Sequence, residues 1–168
     1  VGDTVVENSG GAPVTSAITD ATNMSGVWNG VAAGRTDANW RAVAYGDSKF
    51  VAVTSTTGNA AMYSTDATSW TMGNGTPNGA WQGIAYGGGK FVAVASTGVP
   101  SMYSTDGINW TAGNGQTGQW NGIAYGNGKF VATSVGGVGS NRIMYSTDGI
   151  GWTVATAPED IDFHSVTF

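Results

Sequence analysis

Short apolar runs recur along the chain, each closed by a cluster of glycine, serine, asparagine or aspartate. Ile84-Ala85-Tyr86 and Phe91-Val92-Ala93-Val94 are apolar at odd and even positions alike, so a strand made from either leaves no face for water. Such strands belong in sheets covered on both sides. Gly87-Gly88-Gly89 between them suits a tight antiparallel turn, because glycine accepts the positive φ that such turns need. Two further runs complete a unit of four strands, A to D: A over residues 81–86, B over 91–95, C over 101–104, and D from Trp110.

The unit repeats. Tyr103-Ser104-Thr105-Asp106-Gly107-Ile108-Asn109-Trp110-Thr111 returns at residues 145–153 and, with Ala67 in place of the glycine, at residues 63–71. The A and B strands return at residues 40–45 with 50–54 and at 120–125 with 130–134; C returns at 61–64 and 142–146, and D from Trp70 and Trp152. A period of about forty residues with four short strands is the signature of a propeller blade.

The pattern predicts an all-β fold, a small β-propeller of four blades with four antiparallel strands each, as a single domain over residues 1–168. Three blades cover residues 40–80, 81–119 and 120–162. The last is split: residues 163–168 align with 81–86 as an A strand, and residues 1–39 supply the rest. Gly2-Asp3-Thr4-Val5-Val6 aligns there with Gly89-Lys90-Phe91-Val92-Ala93 as B, residues 14–18 serve as C, and Asp20 stands where Asp106 stands. N- and C-terminal strands then share one blade, which removes exposed sheet edges. Strand D of this blade has two registers, with Met24 or Trp28 in the place of Trp70; Trp28 is favoured, although Trp28-Asn29-Gly30-Val31-Ala32 also resembles an A strand. A chain that ends on an A strand and begins on a B strand could close on itself, or lend its end strand to the next subunit and build a filament.

Composition narrows the chemistry. With no cysteine, disulfides, thiolate catalysis and cysteine-ligated metals are out, and a single histidine, His164, makes a protein-built zinc site improbable. Charged residues are 10% of the chain and the net charge is −5, so six Lys and Arg cannot assemble a phosphate-neutralising surface, and nucleic acid is not an expected partner. No apolar run approaches the length of a membrane span, and the sequence from Val1 shows no charged-then-apolar signal pattern, as in a mature chain or an excised fragment alike.

The repeated turn resembles the Asp-box, or bacterial neuraminidase, repeat: Ser-X-Asp, then Gly, then Trp, between strands C and D of a blade. It is most similar to the Tyr-Ser-Thr-Asp-Gly type of phage tail and fibre proteins and bacterial surface proteins, with Gly-Lys-Phe-Val-Ala upstream. Ser104, Asp106, Gly107 and Trp110 match, as do Ser146, Asp148, Gly149 and Trp152; the first unit keeps Ser64, Asp66 and Trp70. The split blade retains only Asp20. Every copy sets Trp one residue closer to Asp than the sialidase form does, so the resemblance implies fold more than activity. It implies a non-enzymatic structural or receptor-binding module of a virion fibre or extracellular surface protein, with cell-surface glycans or neighbouring fibre subunits as partners. Physically, an Asp opening a turn accepts hydrogen bonds from unpaired backbone N–H groups, while the Trp packs between blades with its indole N–H kept for a polar partner. One carboxylate per turn falls short of the about six or more oxygens calcium takes, so neither metal nor cofactor is expected.

Binding residues are sought where the repeats differ, in the D–A and B–C loops on the face opposite the Asp boxes. After the first aromatic of each A strand come Arg41, Gln82, Asn121 and His164, beside Trp40, Trp81, Trp120 and Phe163. Polar groups next to flat aromatic faces are what sugar recognition uses. In the plainer reading the aromatics wedge neighbouring blades and the polar residues are solvated at the rim. Glu159, Asp160 and Asp162 share one loop and cannot alone provide two carboxylates across a cleft. Arg35, Arg41 and Arg142 are too few and too scattered for a sialidase-like arginine cluster. Asn23, Asn74 and Asn109 open glycosylation sequons, the second disfavoured by Pro77. A lectin, a glycoside hydrolase-related domain with acids in the D–A loops, and a self-assembling filament subunit remain as alternatives.

Overall fold

The structure, a computed structural model, describes residues 38–58, 60–136, 142–156 and 163–167. Among these residues it is all-β, with twelve strands in three antiparallel sheets, each built from consecutive strands. Blade one contains β1 (Trp40–Gly46), β2 (Lys49–Thr54), β3 (Ala61–Ser64) and β4 (Thr71–Met72). Blade two contains β5 (Gly79–Gly87), β6 (Lys90–Gly98), β7 (Ser101–Ser104) and β8 (Thr111–Ala112). Blade three contains β9 (Trp120–Gly126), β10 (Lys129–Ser134), β11 (Ile143–Ser146) and β12 (Thr153–Ala155).

The first hairpin of every blade turns in two residues, Asp47-Ser48, Gly88-Gly89 and Asn127-Gly128, all at positive φ. That backbone matches the right-handed twist of the flanking strands. Blade one achieves it without glycine, with the Lys49 ammonium 2.8 Å from the Asp47 carboxylate across the turn.

The core consists of the seams between blades. Val51, Val53 and Ala61 of blade one meet Trp81, Phe91, Met102 and Trp110 of blade two. Ala85, Val92 and Val94, from the other face of blade two, meet Trp120, Ile123, Phe130 and Met144 of blade three. Blade two is therefore covered on both faces, as the apolar residues at both parities of β5 and β6 require. Among the described residues nothing covers the other face of blade one: β1 alternates between half-buried and exposed, with Val43 54% and Tyr45 60% exposed, whereas the equivalent Ile84 and Ile123 are 8% and 9% exposed.

Two contacts set how closely blades approach. The Tyr86 ring lies against Gly46 so tightly that a Cβ there would fall 2.0 Å from the ring, and Tyr125 sits on Gly87 with the same 2.0 Å. Only glycine fits. Each tyrosine is in turn braced by a phenylalanine across its hairpin, Tyr86 by Phe91 and Tyr125 by Phe130, with ring centroids 4.7 Å apart. At the outer edge, Asn74 donates its N–H to Ile108 O at 2.7 Å and accepts from Trp110 N at 3.0 Å, so the chain leaving blade one is bonded to the turn of blade two. Asn114 N repeats the hook onto Ile150 O at 2.8 Å.

Most of the expected fourth blade, including Asp20 and the choice between Met24 and Trp28, lies outside the described residues. Its described part runs beside blade three, where Phe163 N donates to O of Ser134, the last residue of β10, at 3.1 Å. Gly122 lies close to Val166 N, where a Cβ would come within 3.1 Å, just as Gly83 lies close to Ile123. Residues 163–167 thus follow β9 as β9 follows β5.

Replacing Gly87 by alanine forces the Tyr125 ring off its seat and is expected to cost about 3 kcal/mol, the upper range for overpacking. Urea unfolding of Gly87→Ala against wild type measures it; a loss under about 1 kcal/mol means that this contact does not set the blade spacing.

Candidate functional site

The repeated carboxylates come first because their repetition invites a catalytic reading. Asp66 Oδ1 accepts from Thr68 N at 2.8 Å and Ser69 N at 2.7 Å. Asp106 Oδ1 accepts from Ile108 N and Asn109 N, both at 2.8 Å, and Asp148 Oδ1 from Ile150 N at 2.8 Å and Gly151 N at 3.0 Å. Ser64, Ser104 and Ser146 donate their hydroxyls to the same oxygens at 2.9, 2.8 and 2.9 Å. Each carboxylate therefore closes its own turn. In the two glycine-bearing turns the serine oxygen also accepts from Gly107 N and Gly149 N, each at 2.8 Å. Ala67 takes the same left-handed backbone at φ 61°.

These bonds favour the charged form. The Ser69 N–H, followed by the Thr68 N–H and the Ser64 hydroxyl, holds the Asp66 carboxyl well below the usual carboxylate range. For Asp106, partial burial pushes the carboxyl up, but the backbone and side-chain N–H groups of Asn109, the Ile108 N–H and the Ser104 hydroxyl together outweigh it and hold it well below that range. Asp148 is lowered chiefly by the N–H groups of Ile150 and Gly151. A group held ionised by its own backbone is poorly placed to act as a general acid or base.

The tryptophans of these turns depart from expectation in one respect. Trp70 donates its indole N–H to Ala67 O at 3.2 Å, but the buried indole nitrogens of Trp110 and Trp152 have no protein hydrogen-bond partner. Packing in the seam decided their position over the satisfaction of one polar atom.

Arg41, Gln82 and Asn121 share an unexpected feature: each is the extra residue of a β-bulge. Trp40 pairs with Thr54 and Ala42 with Val53, leaving Arg41 over; the same shift isolates Gln82 between Trp81 and Gly83, and Asn121 between Trp120 and Gly122. A bulge re-aims the side chain it carries. Arg41 Nε donates to Gln82 Oε1 at 2.9 Å, and Gln82 Nε2 donates to Ser96 Oγ at 3.0 Å, linking blades one and two through a polar chain. Asn121 is half-buried on the adjacent β9, and His164 is exposed on the segment that runs past Gly122.

The aromatic half of the expected site requires correction. Trp81 and Trp120 are 0% and 1% exposed and sit in the two seams, so neither offers a ring face to a sugar. They wedge the blades, because the bulge that turns Gln82 and Asn121 outward leaves the preceding tryptophan pointing into the core. Trp40 and Phe163 are half-buried. Glu159, Asp160, Asp162, Arg35 and Asn23 lie outside the described residues. Asn109 donates its side-chain amide to Asp106 Oδ2 at 2.7 Å, so a glycan on that nitrogen would replace a bond of the turn. Among the described residues no three His, Asp or Glu side chains gather as a metal site. Ser96 and the Asn74 and Asn114 hooks were missed from sequence, although Gly73-Asn74-Gly75 and Gly113-Asn114-Gly115 stand at equivalent places after strand D.

No protein-family model matches the chain, and no curated protein does. Among solved structures, YCF48 bound to a D1 peptide superposes with a TM-score of 0.56 at 17% identity, over 80% of this chain and 44% of that one. YCF48 from Cyanidioschyzon merolae gives 0.53 at 14% identity, over 76% and 46%. The computationally designed Ika8 protein gives 0.57 at 10% identity, over 77% and 40%. The fold is a β-propeller. At these identities the likeness shows the fold alone, and the chain spans less than half the length of each of these proteins.

The lowered Asp carboxyls fix the sign of an acid effect. Their contribution to stability is complete above the ordinary Asp value of about 4 and is lost as pH falls through the lower folded values. Thermal unfolding from pH 7 to 2 is expected to show a steep fall below about pH 4. Asp106→Ala should lower stability by about 1–2 kcal/mol at pH 7 and flatten that fall. Unchanged stability at pH 7, or an unchanged acid limb, would contradict the stapling role.

Proposed function

We propose that this chain is a non-enzymatic propeller module, a structural or receptor-binding part of a virion fibre or extracellular surface protein. Its recognition surface is the row of bulged residues on the inner strands. The observation that carries this reading is that Arg41, Gln82 and Asn121 occupy the bulge at one repeat position and differ from blade to blade. The residues around them repeat. A constant scaffold that re-aims one variable side chain per unit is how repeat proteins build a binding surface.

Two observations support binding over turnover. The three repeated carboxylates are each engaged by their own turn, and the exposed Arg41 is steered by Gln82 rather than by an acid. The arc Arg41, Gln82, Asn121, His164 is rich in donors, which suits a ligand rich in acceptors, a polypeptide backbone or a polar glycan. YCF48, of the same fold, is bound to a D1 peptide, which favours a polypeptide. With Trp81 and Trp120 enclosed, a lectin lacks the stacking platforms it would want.

The purified chain should bind members of a peptide or glycan array without turning them over, and Arg41→Ala or Gln82→Ala should weaken that binding about tenfold with unchanged unfolding. Binding untouched by both variants moves the surface elsewhere. Hydrolysis of any glycan that vanishes when one of the chain's acids is changed would overturn the non-enzymatic reading.

A further inference from the structure

A groove lined by Trp40, Arg41, Val43, Met62 and Trp70 lies on the face of blade one that no other described blade covers. Its apolar walls, with a guanidinium at the edge, look like a ligand site, but the repeat assigns it differently. Trp40, Val43, Ala52, Met62 and Trp70 are the counterparts of Trp81, Ile84, Ala93, Met102 and Trp110, all buried where blade two meets blade one. The groove is a seam without its second half.

We infer that this face is an interaction surface for a further sheet, and that the occupant is the segment of this same chain that precedes it, residues 1–37. Backbone groups support the seam independently of the side chains. In blade two, Ile108 O and Trp110 N are bonded by Asn74 of the preceding blade; in blade one the corresponding Thr68 O and Trp70 N have no such partner among the described residues. The direction from which the chain arrives selects the occupant. Asn39 O accepts from Ser55 N at 3.0 Å, as Gln119 O accepts from Val135 N at 3.2 Å, so the chain enters β1 as it enters β9. Before Gln119 it has come directly from the blade that covers blade three's equivalent face, with Asn114 hooked on the way. Trp40, Trp81 and Trp120 recur at 41 and 39 residues, so a preceding stretch of 37 residues is close to one unit in length.

This seam is not a copy of the other two. A Cβ at Gly107 would meet Val51 Cγ2 at 2.9 Å, and one at Gly149 would meet Val92 Cγ2 at 2.5 Å, yet blade one carries a Cβ there, on Ala67. The alignment of Val5 with Val92 keeps a valine at that point, so the covering sheet stands further off.

The absence of cysteine allows a direct test on the full chain. Single variants Tyr45→Cys and Ser48→Cys, the second on the exposed hairpin turn, are labelled with a maleimide at a series of protein concentrations. The expected result is labelling of Tyr45→Cys at least tenfold slower than of Ser48→Cys, at every concentration and in a monomer. Equal rates mean that the face is open, and protection that grows with concentration means that a second copy covers it; either overturns the inference. Amide exchange on the unmodified chain gives a second reading that no substitution can disturb. Trp70 N–H should exchange as slowly as Trp110 N–H, and exchange as fast as in an open turn counts against residues 1–37 as the occupant.

Discussion

Each sheet of this protein is apolar on both faces and too small to stand by itself, and this constraint governs the rest. A blade buries its apolar faces against its neighbours, so the hydrophobic core is a series of seams rather than one interior. The same requirement explains why Trp110 and Trp152 keep buried indole nitrogens without partners: the area each ring removes from water outweighs one lost hydrogen bond. It also explains why the groove beside Trp40 is apolar although nothing among the described residues fills it.

Because the seams hold the blades together, the turns are free to be polar, and they hold themselves. An aspartate and a serine in each turn satisfy the backbone that the sheet cannot reach. The bulges on the first strands of the blades bring Arg41, Gln82 and Asn121 out of the pleat, and Arg41 and Gln82 use that position to join blades one and two through Ser96.

Much of this was legible in the chain itself. Apolar residues on both parities imply sheets covered on both sides, and the period of the Trp and Asp positions yields the blades and strand order directly. The stapling role of Asp106 follows from its place at a turn. The bulges were not legible, since a register shift of one residue is decided by pairing across strands and leaves no mark in composition. Trp81 and Trp120 were for that reason open to a reading as sugar platforms until the bulge beside each placed the ring inside. The hydrogen bonds of Asn74 and Asn114 use backbone atoms alone, so only the repeated glycines around them hinted at a contact.

The seat of Tyr86 on Gly46, and of Tyr125 on Gly87, joins adjacent residues of one motif to two different neighbours. The Tyr86-Gly87 pair thus carries a plug for the unit behind it and a socket for the unit ahead. A unit duplicated with that pair brings both halves of this joint with it. At this contact the chain could gain a blade without evolving a new fit between side chain and backbone.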